Sequence, residues 1–256
     1  MKNVACNKHV TIECEGVSWL LRRTVPEKVV DARDVQSAIV AIKKTLPGLH
    51  VKCRDNLELT NVFSAGMSGL DVLNAINTYS DGNITCFMAE QDVLWCGRLY
   101  NACETGEVFN SGSVVAYKLG YNALRDSELK LHDTEGAPAQ VTYIRRPISG
   151  VIEAGTAVKA GYTGGNYERM LSHVAGRKGL KQLADERMAR FRYKGLDGRL
   201  TAFLQPYVQP GYSVSITDSL NKDRNGTYVV ESVEVRFGVS GARRIIEVGP
   251  RVAKMK

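Results

Sequence analysis

The sequence predicts an α+β chain that is mostly β. A smaller α/β domain comes first, and a barrel-like C-terminal β domain with an inserted helix follows. Three observations predict it. Two amphipathic helical stripes and a short hairpin occupy the first hundred residues. From about residue 106 the texture changes to alternating strands punctuated by glycine turns. One long helical pattern, about residues 166–193, interrupts that run. The expected division is a mixed α/β domain over residues 1–105 and a β-barrel domain over residues 106–256.

The first strand is expected at HVTIECEG (9–16), where Val10, Ile12 and Cys14 alternate with polar residues at period two. SWLLRR (18–23) reads as a short helical turn. Asp34 is a suitable N-cap, because its carboxylate can accept from the free N–H groups of a first helical turn. Val35, Ala38, Ile39, Ile42 and Leu46 then form one apolar stripe. Lys43 and Lys44 suit the C-terminal dipole, and Pro47-Gly48 stops the helix. LHVKC (49–53) and LELTNVF (57–63) are strand-like. Ser68 opens a second helix with Leu70, Leu73, Ala75, Ile76 and Tyr79 inward, closed by Asp81-Gly82. Residues 83–97 read as a hairpin about the polar corner Ala89–Asp92.

Beyond residue 106, VVAYKLGYNALRDSELKLH and QVTYIRRPISGVIEAGTAVKAG alternate, with turns expected at Gly120, Gly136, Gly150 and Gly155. Residues 163–195 begin loose and become helical, with Leu180, Leu183, Ala184, Met188 and Phe191 on one face. Gly176 and Gly179 argue against one continuous helix, since each costs about 1 kcal/mol relative to Ala. In PGYSVSITD, Tyr212, Val214 and Ile216 oppose Ser213, Ser215 and Thr217. The last hairpin is NGTYVVESVEVRFGVSGARRIIEVG (225–249). Val229, Val233, Val235 and Phe237 share one face, Glu231 interrupts that row, and Ser232, Glu234 and Arg236 lie opposite. Asn225-Gly226 and Ser240-Gly241 are expected to supply left-handed turn positions.

Composition narrows the chemistry. Of 256 residues, 44% are hydrophobic, enough for one large core or two small ones, and no apolar run reaches the roughly 20 residues of a membrane helix. The N-terminal stretch lacks the apolar segment of a signal peptide. The six cysteines (Cys6, Cys14, Cys53, Cys86, Cys96, Cys103) form no CxxC pair and are expected to be buried reduced thiols. The four histidines (His9, His50, His132, His173) do not pair with them at zinc spacing. GxSxG, HExxH and GxxxxGK[ST] are all missing. TGGN (163–166) lacks the form of a phosphate loop. Asp185 and Glu186 point about 100° apart on a helix, so they read as partners for nearby Arg and Lys rather than as an acid/base pair. His173 has no nameable nucleophile or acid beside it. No catalytic, cofactor-binding or metal residue is therefore expected. Net charge is +7, concentrated in RKGLKQLADERMARFRYKGLDGR (177–199), at Arg243-Arg244 and over 251–256, which permits contact with nucleic acid or an acidic surface.

The order of features in the second half carries a resemblance. LADERMARF (183–191) and GLDGRLTAFLQPYVQPGYSVSITDS precede the last hairpin and a basic end. Within them are Pro210-Gly211 before a strand, the Gly226-Tyr228-Val230 pattern, and the return from Phe237-Gly238 to Gly241. This resembles the C-terminal part of the baseplate hub proteins of contractile phage tails. That is the late-control or gene-D-like family, related to the N-terminal part of type VI secretion spike proteins. VTIECEGVSWLLRR, the helices at 34–46 and 68–79, the hairpin at 84–97 and YKLGYNALRDSELKLH resemble the same family more loosely. Such hubs carry more strand before the segment matched near residue 10, so the first domain is expected to be a partial second barrel, in a reduced hub, in a truncated piece or in a different use of the barrel.

The resemblance implies a non-enzymatic structural part without cofactors: a homotrimeric ring linking a spike to tail-tube or baseplate proteins. Two barrel-like domains per chain would give three chains six similar faces, and a head-to-tail contact closes the ring. It implies assembly in the cytoplasm, then residence in a virion tail or injection particle, without membrane insertion. Pro210, Gly211, Gly226, Gly238 and Gly241 would shape the barrel, and Tyr228, Val233, Val235 and Phe237 would fill it. Two other classes compete. One is a basic nucleic-acid-binding module using 177–199, and the other is a hydrolase whose site assembles from distant residues.

Overall fold

The computed structural model describes residues 18–23, 32–59, 62–89, 92–108, 114–125, 128–134, 138–147, 150–159, 161–238 and 241–253. The strand expected at 9–16 and the turn residues Gly136 and Ser240 lie outside them. The chain is mostly β, as the alternation predicts.

In the first section, β1 (His50–Cys53), β2 (Thr85–Met88) and β3 (Val93–Gly97) form a sheet in the order β1-β3-β2. The central strand β3 pairs parallel with β1 and antiparallel with β2, and it is buried throughout. Its side chains alternate between two cores. Leu94 and Cys96 join one with the helices, while Val93 and Trp95 join another on the opposite face. The helices α2 (Val35–Thr45) and α3 (Gly69–Tyr79) begin where the sequence places their caps. Asp34 accepts the Ser37 N–H at 2.8 Å, and Ser68 with Asp71 forms a reciprocal capping box. Val35, Ala38, Ile39 and Ile42 are fully buried along α2, and burying each larger one stabilises by about 1.5–3 kcal/mol. The short helix α1 (Ser18–Arg23) packs on α3, with Gly69 admitting the Leu21 carbonyl.

The second section is a curled sheet built from β4 (Val115–Lys118), β10 (Arg199–Ala202), β11 (Ser213–Thr217), β12 (Gly226–Gly238) and β13 (Gly241–Arg251). β4 pairs with β11, β11 with β12, β12 with β13, and β13 with β10. The remaining gap, from β10 back to β4, is bridged by the turn after β4. Leu124 N–H donates to Thr201 O at 2.8 Å, Phe203 N–H to Asn122 O at 3.2 Å, and Gly120 N–H to Ala123 O at 2.7 Å. That closure satisfies backbone groups that an open edge would expose. Inside lie Tyr117, Leu200, Val208, Val214, Ile216, Tyr228, Val230, Ile246 and Val248. A further antiparallel pair, β5 (Lys130–Asp133) with β9 (Lys194–Asp197), attaches where Pro250 meets Gly195.

The chain between β5 and β9 leaves this sheet. It forms β6 (Gln140–Arg145), β7 (Glu153–Val158) and β8 (Tyr167–Leu171), ordered β7-β6-β8, and then α5 (Arg177–Phe191). Val141, Tyr143 and Ala157 from these strands, with Leu180, Leu183 and Ala184 from α5, share one core with α2 and α3. Residues on both sides of position 106 thus build the largest core.

Several expectations need correction. The inserted helix starts at Arg177 rather than near 166, because residues 167–171 find a parallel partner in β6. α5 is continuous through Gly179, whose missing side chain is required by Val174, 2.7 Å from where a Cβ would stand. Gly155 is not a turn residue. It sits within β7, where a Cβ would fall 2.1 Å from the Lys181 backbone nitrogen, so strand and helix touch main chain to main chain. Asn225-Gly226 is not left-handed, since Asn225 has φ −69° and follows a 3-10 turn over Lys222–Arg224. Gly241 does adopt positive φ, +101°. Finally, the expected filling row of the last hairpin breaks. Irregular register on either side of Val230 turns Tyr228 and Val230 inward, with Val233 packed beside them. Val235 and Phe237 remain exposed.

Candidate functional site

The hairpin β12/β13 is longer than the barrel it belongs to. Its inner face continues from Val233/Ile246 to Val235/Arg244 and Phe237/Ala242, because directly paired residues share a face. At the barrel mouth, buried Arg244 donates to Pro206 O at 2.9 Å, beneath the Tyr207 ring 4.9 Å away. Tyr117 Oη donates to the same carbonyl at 2.7 Å. These groups close the core, and beyond them Val235 is 43% and Phe237 74% exposed. On the other face Arg236 pairs with Glu234, Ser232 donates to Glu247, and Arg243 stacks over half-exposed Phe203 at 5.0 Å. A projecting ribbon thus carries apolar side chains on one face and arginines on the other, a composition suited to protein contact.

A polar junction fixes the ribbon's base to the rest of the molecule. The short helix α4 (Leu99–Thr105) has no side-chain cap of its own. Its first N–H groups, from Tyr100 and Asn101, donate to the two Glu186 oxygens at 2.9 and 2.8 Å. Burial pushes the Glu186 carboxyl up to about 7, against those two bonds and the nearby Arg98 charge, which pull it down. Arg98 binds buried Asp55 through its backbone N–H and its Nε, both at 2.8 Å. Tyr100 Oη donates to Glu231 at 2.7 Å, and burial holds the phenol far above its ordinary value. So Glu231, which interrupts the apolar row, ties β12 to α4. Gly249 on β13 makes room for it, since a Cβ there would lie 2.2 Å from Glu231 Oε1. Gly211 plays a similar part: at φ +81° it seats against the Phe87 ring, where a Cβ would overlap the ring at 2.1 Å. Phe87 stacks on Trp95 behind it, 5.0 Å between centroids.

The residues considered as chemistry separate in space. Asp185 is an ion-pair partner of Lys181, while its neighbour Glu186 is the buried cap. His173 lies edge-on to Tyr79 at 4.9 Å. TGGN is an exposed loop. Within 177–199, Arg187 pairs with Glu168 and stacks on Phe191, and Lys194 pairs with Asp133. A cavity of about 470 Å³ opens between α4, the end of α5 and the β12/β13 base. Arg192, Lys194 and Arg251 line it, with Glu104 as its carboxylate. Among the described residues, no three His, Cys, Asp or Glu side chains are placed to hold a metal ion. No helix among them is long and apolar enough to cross a membrane. Sequence reasoning missed the Glu186 cap and the Glu231 tie. Only the polarity of residue 231 within an apolar row signalled either.

No protein-family model matches the sequence, and no curated protein matches it. Solved structures do. A tail protein from Neisseria meningitidis MC58 superposes with a TM-score of 0.59 at 14% identity, covering 90% of this chain and 71% of that one. A 43 kDa tail protein of prophage MuSo2 from Shewanella oneidensis gives 0.49 at 10% identity, covering 89% and 66%. A chain from the virion of a native gene transfer agent particle gives 0.46 at 15% identity, covering 86% and 47%. The last two superpose too loosely to carry an argument. Over nine-tenths of its length, the chain has a fold similar to that of the Neisseria tail protein, so the resemblance to tail proteins holds at the level of fold.

Proposed function

We propose that the chain is a structural component of a phage-type tail or related injection machine, and that it acts as a hub: a trimeric ring between spike and tail tube. The observation that carries this reading is the shared fold with a tail protein over 90% of the chain. The hub role rests on the resemblance of residues 180–250 and on the projecting ribbon. A ribbon anchored through Glu231 and Gly249 is held at a fixed angle, which a repeating head-to-tail contact requires. Its exposed Val235 and Phe237 are the surface we assign to the neighbouring copy. The chain supplies shape and contact area here, and no catalytic step is assigned to it.

The test is native mass across a wide concentration range at low and moderate salt. A species near three times the 28.1 kDa chain is expected. Phe237→Ser should shift it toward monomer without changing the circular dichroism spectrum. A chain that stays monomeric at every concentration sinks the self-assembling ring.

A further inference from the structure

A row of three thiols crosses the β1-β3-β2 sheet. Cys53 on β1 and Cys86 on β2 are both the direct register partners of Cys96 on β3. Register partners point to one face, and here that face is the main core, which Cys96 joins and against which Cys53 and Cys86 pack. Cys86 Sγ lies 3.0 Å from Cys96 Sγ, whereas the Cys53 thiol donates to the Asp55 carbonyl at 3.3 Å. The three do not form a metal site.

The backbone geometry separates the two neighbours. Ala89 N–H donates to Val93 O at 2.8 Å, one step beyond the Met88/Leu94 pair that ends the ladder. They are thus a hydrogen-bonded antiparallel pair. The pair types alternate along the ladder, so three positions on, Cys86/Cys96 is a non-hydrogen-bonded pair. Such pairs bring Cα atoms to about 4.5 Å, inside the span a disulfide bridges.

Cys53 and Cys86 are both partly exposed, and Cys86 faces a cavity. A cavity of about 190 Å³ between α1, α3 and β2 is lined by Cys86, with Leu21, Asn74 and Thr85 among its other walls. Cys86 is partly exposed, while Cys96 behind it is fully buried. The neighbouring thiols first, and burial second, hold the Cys53 and Cys96 groups well above the usual thiol range. That makes both poor first attackers, and Cys86 is the thiol that lines the cavity a small disulfide would enter.

We propose that Cys86 and Cys96 form a redox-modifiable pair that closes to a cross-strand disulfide by exchange with a small organic disulfide. The Cys86 thiolate attacks one sulfur of oxidised glutathione, forming a mixed disulfide and releasing one glutathione thiolate. Cys96 then attacks the Cys86 sulfur and passes its proton to the departing second glutathione. Two protein thiols are oxidised, one glutathione disulfide is reduced to two thiols, and the Cys86 proton, lost to solvent, is replaced on the first glutathione thiolate from solvent. Cys53 stays reduced beyond Cys96. This site does not depend on the tail-component reading.

The experiment is incubation of the native full chain with excess oxidised glutathione at mildly alkaline pH, alkylation, and peptide mapping without reductant. A Cys86–Cys96 cross-link is expected, with the loss of two hydrogens. The oxidised chain should melt about 5–10 °C higher, from the short loop closed, and reductant should reverse the gain. Cys96→Ser should stop at a glutathione adduct on Cys86, and Cys53→Ser should cross-link like the unaltered chain. The mapping on the unaltered chain decides the matter even if a variant folds poorly. A native chain whose Cys86 stays free while denatured chain reacts fully, a mixed disulfide that persists, or a Cys53–Cys96 cross-link would each overturn the proposal.

Discussion

Single residues decide whether neighbouring segments can touch. Gly241 holds φ +101°, a region L side chains rarely adopt, and only the Arg243 side chain lies near its Cβ direction. Gly241→Val therefore introduces backbone strain rather than a clash. It should cost about 1–2 kcal/mol, read as a lower urea midpoint. Gly238→Val, at the register partner of Gly241 but without positive φ or close neighbours among the described residues, should leave the midpoint nearly unchanged. Glu186 makes a second residue-scale prediction. Its carboxyl is raised from 4.5 to about 7 in the folded chain. An acid raised by folding contributes stability that is complete below about 4.5 and is lost as pH rises through about 7. The loss is on the order of 3 kcal/mol. Urea midpoints should thus fall between pH 5 and pH 8, and Glu186→Gln should flatten that slope. An unchanged slope in the variant would assign the effect elsewhere.

At the scale of elements, capping and register matter more than propensity. α2 and α3 carry their own caps in Asp34 and Ser68, so both are visible in sequence. α4 borrows its cap from Glu186, eighty-odd positions away, and is invisible there. In the last hairpin the alternation of residues 229–237 is real. The register irregularities around Val230 decide which residues enter the barrel, because a one-residue slip moves a row to the other face. Val230→Ala, in the core, should cost roughly 2–4 kcal/mol. Phe237→Ser, at the ribbon tip, should change stability by less than about 0.5 kcal/mol in the isolated chain. Comparable losses from both would mean that the tip is packed rather than projecting.

For the whole molecule, the largest core draws residues from α2, α3, β6, β7 and α5, and Gly211 seats the barrel's turn on Phe87 of the first section. Separate unfolding of the two sections would expose these shared contacts. Near- and far-UV circular dichroism should therefore report one coincident urea transition. Two resolved transitions would show that the sections are stable apart.

The sequence by itself determined the mostly-β class, the two capped helices, the β2/β3 hairpin, the positive-φ turn at Gly241 and the apolar row of α5. Each rests on local periodicity or on a side chain within a few positions of its partner. Tertiary structure alone decided that residues 140–158 leave the barrel sheet, that 167–171 is a strand, and that Gly155 and Gly179 serve close packing. It alone set Glu186 as a cap, Glu231 as a tie and Cys53 of β1 in one row with the hairpin cysteines. The physical reason is common to all of them. A buried polar group, a missing Cβ or a strand partner is satisfied by whatever the fold brings near. That neighbour leaves no periodic trace in the chain.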